Sequence, residues 1–224
     1  GAPAYKIASF EIVDIPLIQR AAATGKPMII STGMAGWTEI EDAVRAAHGA
    51  GKGGVILLHC VSGYPTPPED SNLLRLRALA ERVDVMVGLS DHTMGTACAV
   101  AAVALGAVAI EKHLTLRRAD GGPDGTFSLE PEEFRLLVNE SHTVFSALGT
   151  RRDERAPSEA GNTRFRRSLY VVRDISAGEA FTAENLRSIR PGLGLPPKHL
   201  PELLGRRAKQ AIRRGTPMSW DLVN

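Results

Sequence analysis

The chain has 224 residues, 43% hydrophobic and 23% charged, which suits one large domain or two smaller ones around a substantial core. Its net charge is +2, and no apolar run approaches the roughly 18 residues of a membrane-spanning helix, which excludes a helical membrane anchor and a polyionic chain. The opening Gly-Ala-Pro-Ala-Tyr-Lys runs straight into strand-like sequence with no signal-peptide pattern, so a soluble, cytoplasmic protein with no membrane partner is expected.

In chain order the first part alternates strand and helix. Strand-like runs fall at 4–9, 27–32, 54–60, 85–90 and 107–113. They are nearly continuous in Ile, Val and Leu, as strands buried on both faces read. Helical segments are predicted between them at 14–24, 38–50, 72–82 and 95–105, the second opened by a Thr38/Glu41 capping box. A longer helix at 130–148 opens after Ser128 with Glu130, Glu132 and Glu133 at its positive dipole end. This βα rhythm implies a parallel sheet. Cys60 and Cys98 both sit in apolar segments and read as free thiols in a reducing compartment.

Residues 150–164 are polar and aperiodic and read as a linker. Beyond it the pattern changes. "DISAGEAFTAENL" (174–186) and "AIRRGTPMSWDLV" (211–223) share a layout: Ile175 precedes Gly178 by three residues as Ile212 precedes Gly215, and Leu186 and Leu222 close the two copies. A small β-rich domain over 165–224 is expected. Residues 151–224 hold 15 Lys and Arg against 8 Asp and Glu, net +7, leaving −5 on residues 1–150. A basic half suits nucleic acid, docking on an acidic half, or an anionic substrate. No aromatic stacking motif accompanies it, so nucleic acid is not the expected partner.

Polar residues gather where each strand ends: Lys6 and Ser9, Ser31 and Thr32, His59 and Ser62, Ser90 and His92, Glu111 and His113. That is the catalytic face of a (β/α) barrel and equally the ligand edge of an open α/β sheet. By spacing alone, His92 and His113 are either metal ligands or hydrogen-bonded strand-end histidines. Lys6 is flanked by apolar residues, and a buried lysine requires an anionic partner.

The segments "YKIASFEIVDIPLI", "YPTPPEDSNL", "VGLSDHTMG", "IEKHLTL", "GGPDGTFSLEPEEF", "RRSLYVVRDISAGE" and "SIRPGLGL", in this order, resemble the sialic acid synthase family, nearest its pseudaminic acid synthase branch. The resemblance covers essentially the whole chain. It implies a partial (β/α) TIM-type barrel of about five βα units over 1–149, the first three units absent, followed by a small SAF (antifreeze-like) domain. The implied reaction condenses phosphoenolpyruvate with an N-acetylated amino sugar of the 2,4-diacetamido-2,4,6-trideoxy-altrose type, releasing phosphate. Neuraminate and legionaminate synthases are the neighbouring alternatives, and an inactive fragment acting as a carbohydrate-binding SAF module is an alternative of another class.

By the same resemblance His92 and His113 are the catalytic metal ligands, for Mn²⁺ or Mg²⁺. Lys6, Ser9, Ser31, Ser62 and Ser90 match phosphoenolpyruvate contacts, where a trianion needs a cation and inward hydroxyl donors. Ser62 stands where neuraminate synthases show Asn. Tyr64, Asp124 and Arg190 match sugar-side contacts, Arg190 reaching the site from a partner copy in a domain-swapped homodimer. Glu111 is either a residue orienting a histidine or one half of an ion pair.

Overall fold

The structure, a computed structural model, describes residues 1–150 and 153–224 and divides into two units, Gly1–Thr150 and Arg151–Asn224. Five strands run through the first unit: β1 (Tyr5–Ile7), β2 (Met28–Ser31), β3 (Val55–Cys60), β4 (Met86–Asp91) and β5 (Ile110–Lys112). They form one parallel sheet in sequential order, β1-β2-β3-β4-β5, with no reversal. An open doubly wound sheet reverses its strand order at the point where ligands bind. A sequential order is the wall of a barrel, and the first unit is a half-barrel.

Helices α1 (Ile15–Ala22), α2 (Trp37–Ala50), α3 (Arg75–Arg82) and α4 (Ala97–Ala104) connect the strands, and α5 (Pro131–Leu148) follows β5. The main core lies between sheet and helices, with Ile18, Ile30, Ile40, Leu57 and Leu79 wholly buried. Local chemistry sets the helix starts. Asp14 accepts the Leu17 N–H at 3.0 Å ahead of Pro16, and Glu133 accepts the Glu130 N–H at 2.8 Å ahead of Pro131.

Several boundaries move from their sequence-based positions. The edge strands β1 and β5 are each three residues long, shorter than predicted, because each has a ladder on one side only. Helix α3 begins at Arg75, after Asn72 takes φ +43°, a left-handed value that asparagine tolerates. The predicted Thr38/Glu41 capping box is displaced by two residues. Gly36 is the extended N-cap, its N–H donates to Glu39 Oε2 at 2.7 Å, and Glu41 accepts from Arg82 Nε on α3 at 2.7 Å. Arg151 and Arg152 of the expected linker lie outside the described residues, and Pro157–Phe165 of that stretch winds into an exposed 3₁₀ helix.

In the second unit β6 (Ser168–Val171) pairs antiparallel with β7 (Leu186–Ile189), followed by the short α6 (Leu200–Leu203). The two sequence copies meet at Ile175 and Ile212, which exchange both backbone hydrogen bonds, at 2.9 and 2.8 Å. Gly178 and Gly215 turn the chain at φ +79° and +88°, and Phe181 and Met218, three residues beyond each, are both buried. This unit has its own core, built on Leu169, Val171, Phe181, Leu186 and Leu203. Among the described residues, no helix of either unit is long and apolar enough to cross a membrane.

Gly88 lies within β4. A Cβ there would overlap the Ala109 carbonyl oxygen and stand 2.7 Å from Leu58 Cδ2. Gly88→Ala is expected to lower stability by about 1–3 kcal/mol in denaturant unfolding. An unchanged midpoint would mean that the backbone before β5 can retreat at no cost.

Candidate active site

Because the strands are parallel, their C-terminal ends lie on one side of the half-barrel, and side chains two residues apart share a face. Lys6 on β1 reaches Ser31 at the end of β2, its Nζ donating to Ser31 Oγ at 2.9 Å. Lys6 Nζ also stands 3.5 Å from Glu111 Oε1 on β5, so the first and last strands meet across the concave side. Glu111 Oε1 accepts from Ser90 Oγ on β4 at 2.6 Å. Ser9, in the turn after β1, shares a 2.9 Å hydrogen bond with Ser62, just past β3. One cation and four serine hydroxyls therefore face a single concavity, together with the Glu111 carboxylate.

Beside them is a cluster of rings. His92 and His113 have centroids 5.3 Å apart, and Tyr64 lies 4.3 Å from His92 and 6.0 Å from His113. Phe127 closes the group at 5.0 Å from His113 and 5.9 Å from Tyr64. Asp124 Oδ2 is 3.6 Å from His113 Nδ1. The loop carrying Asp124 and Phe127 is pinned at both ends. Leu129 N–H donates to His113 O at 2.9 Å, and Arg118 Nη2 donates to Glu133 Oε1 on α5 at 2.9 Å.

His92 is held from two sides. Its carbonyl accepts the Thr66 N–H at 2.9 Å, and its Nδ1 pairs with Val61 O at 2.8 Å. A carbonyl only accepts, so Nδ1 carries the hydrogen and Nε2 keeps a lone pair. Burial pushes the His92 pKa below its ordinary 6.5, partly opposed by the bond to Val61, which favours the neutral, ligating form. Tyr64 is pushed up, first by burial and then by nearby negative groups including Asp124 and Glu111, and stays a phenol.

The donor set suits a labile divalent ion. Two imidazoles stand edge to face with centroids 5.3 Å apart, one with its tautomer fixed by a backbone carbonyl, which is the usual outer support of a metal-binding histidine. Among the described residues no group of three His, Cys, Asp or Glu side chains could hold a metal, so a closed structural site is not built here.

The half-barrel thus brings together Lys6, Ser9, Ser31, Ser62, Ser90, His92, His113, Tyr64 and Asp124. Arg190 is an exposed residue of the second unit. Sequence reasoning missed Cys60, whose Sγ lies 3.9 Å from His92 Nδ1, and Phe127, which is buried against His113. It also passed over Asp91 and Lys112, each directly preceding a histidine. The signal for Phe127 was one apolar residue in a Gly-rich loop, and for Cys60 its place two residues before Ser62.

Compared with known proteins, residues 1–153 match the family model described as the NeuB family, and residues 166–224 match the SAF domain. The chain belongs to the NeuB family. It is 44% identical over 220 residues to a pseudaminic acid synthase of Helicobacter pylori, covering 98% of this chain and 65% of that protein. An N,N'-diacetyllegionaminic acid synthase of Campylobacter jejuni is 39% identical, with 92% of this chain and 63% of that protein covered. Among solved structures, an N-acetylneuraminic acid synthetase of Leptospira borgpetersenii in complex with citrate superposes with a TM-score of 0.68 at 39% identity, over 74% of this chain and 57% of that one. The chain thus spans just under two thirds of the length of these curated relatives.

Below this site His59 donates through Nε2 to Ser71 O at 2.7 Å, and burial, aided by Arg75, pushes its pKa below 6.5. Unfolded, it takes up a proton that the native state refuses. Its contribution is therefore complete above pH 6.5 and is lost as pH falls below that value. His59→Gln, which keeps a donor for Ser71, is expected to flatten the decline in melting temperature between about pH 6.5 and 5. A slope identical to the parent's would overturn this.

Proposed function

We propose that the chain supplies the greater part of a phosphoenolpyruvate-dependent nonulosonic acid synthase. The proposed substrate is an N-acetylated amino sugar of the 2,4-diacetamido-2,4,6-trideoxy-altrose type, and the products are pseudaminic acid and phosphate. The carrying observation is the convergence of Lys6, the four serines and the two histidines on one strand-end surface of a NeuB-family half-barrel. The relatives support the pseudaminate branch, at 44% and 42% identity for two pseudaminic acid synthases against 39% for a legionaminic one.

In this reading the Lys6 ammonium and the hydroxyls of Ser9, Ser31, Ser62 and Ser90 bind the phosphate and carboxylate of phosphoenolpyruvate. His92 and His113 hold a divalent ion, Mn²⁺ or Mg²⁺, which when bound supplies Lewis acidity toward the sugar aldehyde. Tyr64 and Phe127 wall the sugar side and thin the water there, and Asp124 accepts from a sugar hydroxyl. The reaction joins C3 of phosphoenolpyruvate to the aldehyde carbon. Water adds at C2, and the C–O bond to phosphate breaks. Arg190 is supplied by the partner of a domain-swapped homodimer and binds the N-acetyl group. Opposite charges on the two parts of the chain would favour that exchange.

The test compares substrates in the complete protein encoded by the gene. The altrose-type sugar is expected to give the highest kcat/KM, ahead of the legionaminate and neuraminate precursors. His92→Ala and His113→Ala are each expected to cut metal-dependent phosphate release by about 10³-fold or more. Full turnover in both variants would overturn the assignment. Sugar binding with no phosphate release in the parent would favour the carbohydrate-binding alternative. The 224-residue chain alone is expected to turn over weakly.

A further inference from the structure

Directly before the two histidines stand Asp91 and Lys112, register partners at the ends of β4 and β5. Alternation turns them away from the face that carries Ser90 and Glu111. Lys112 Nζ donates to Asp91 Oδ2 at 2.7 Å, with the two side chains 1% and 2% exposed. The same ammonium also donates to Thr93 O, and Asp91 Oδ1 accepts the Thr93 N–H at 2.9 Å. The pair therefore grips the chain on both sides of His92, through the residue before it and both backbone groups of the residue after it.

We propose that Asp91 and Lys112 are positioning residues, a buried tether that fixes where the His92 and His113 imidazoles stand relative to each other. This rests on the reading of those histidines as metal ligands. Three observations carry it.

A buried ion pair is seldom more stabilising than apolar side chains of the same volume, so stability alone gives no reason for charges here. Directional bonding does, because apolar residues cannot hold the N–H and C=O of Thr93. Second, β5 is an edge strand of three residues with a ladder on one side only; past its end His113 O is held by Leu129 N–H at 2.9 Å, and Lys112 adds the side-chain link that ties this end to β4. Third, a cavity of about 10 Å³, room for about one water, is lined in part by His59, Ser71, Asp91, His92 and Thr93, so the packing beside His92 is incomplete there. The tether takes up that slack. It acts through backbone placement and touches neither imidazole.

The test is an Asp91→Leu/Lys112→Met variant of this chain, which swaps the ions for apolar side chains of similar volume. Its melting temperature is expected to fall by roughly 5–15 °C, because the buried Thr93 N–H and C=O lose their partners, and binding is compared well below that midpoint, where the variant is folded. Mn²⁺ affinity, measured with the metal alone by calorimetry, is expected to fall by about 10–100-fold, as losses of outer support do. Nitrogen NMR of labelled histidines gives a readout independent of metal. The parent should show His92 as a single Nδ1–H tautomer, and the variant an average over tautomers. Should the double variant not fold, Asp91→Glu, which keeps the charge pair but moves its carboxylate by one methylene, should show a smaller change in the same direction.

Retained Mn²⁺ affinity together with a single His92 tautomer in a folded variant would overturn the tether. So would an affinity loss that tracks only the folded fraction. A parent chain that binds no Mn²⁺ would sink the metal reading of the site, while the imidazole signals would still decide the tether.

Discussion

A parallel sheet has one end at which every strand finishes, and the site is a consequence of that constraint. Lys6, Ser31, Ser90 and Glu111 lie far apart in sequence on four different strands, yet all face the concave side of a sheet ordered without reversal. Curvature then does what adjacency cannot. The 3.5 Å contact of Lys6 with Glu111 is a chord from the first strand to the fifth, possible only because the sheet bends. In a flat sheet the five strands, about 4.8 Å apart, would hold that pair some 19 Å apart. Ser90, bonded to Glu111, and Ser31, bonded to Lys6, continue the chord inward from each edge. The electrostatics of the site are set by sheet geometry before any ligand arrives.

The two charged pairs near this surface have opposite characters. Lys6 and Glu111 are about one third and just under one half exposed, so water competes for both and the pair can yield to an anion. Asp91 and Lys112 are removed from water and fully engaged, so neither can exchange partners without leaving a charge buried. On β5 the two pairs stand side by side, Glu111 belonging to the exchangeable one and Lys112 to the fixed one. The pleat supplies this difference: Lys6 and Glu111 point into the concavity and reach water, while Asp91 and Lys112 point away from it and do not.

Much of this was legible in the residues. Runs of Ile and Val ending in Lys, Ser or His predict both the parallel sheet and its polar end, and that pattern is robust because burial on two faces forces it. The paired Ile–Gly–Leu layout in the last 50 or so residues predicts a small β-rich domain, and only the fold shows that its two copies pair at Ile175 and Ile212. Less legible were features set by tertiary contact. Glu41 reads as a capping partner for Thr38 because local spacing cannot show Arg82 arriving from α3. Phe127 enters the site by folding back of a loop, which leaves no motif, and Cys60 by strand alternation at the end of β3, where it reads as one more apolar residue. The 3₁₀ helix Pro157–Phe165 buries no residue, so it carries no periodicity to read.

Both ends of the sheet bear on how firmly the site is held. Along β1 a cleft of about 450 Å³ is lined by Tyr5, Ile7, Leu17 and Ala21 together with Lys6 and Arg20, and along β5 a mainly apolar one of about 400 Å³ by Val103, Val108, Ile110 and Phe145. Val108 and Phe145 are 57% and 72% exposed, unusual for residues of their size beside a sheet. Any βα unit seated on these edges would bury that surface and add a second ladder to β1 and β5. Those strands carry Lys6 at one edge, and Glu111 and Lys112 at the other. The Lys6 ammonium, its carboxylate partner and one half of the buried ion pair thus all stand on the strands with a single neighbour. Completion of the sheet and firmness of the site are the same physical event, because the residues that close the chord are the residues of the edges.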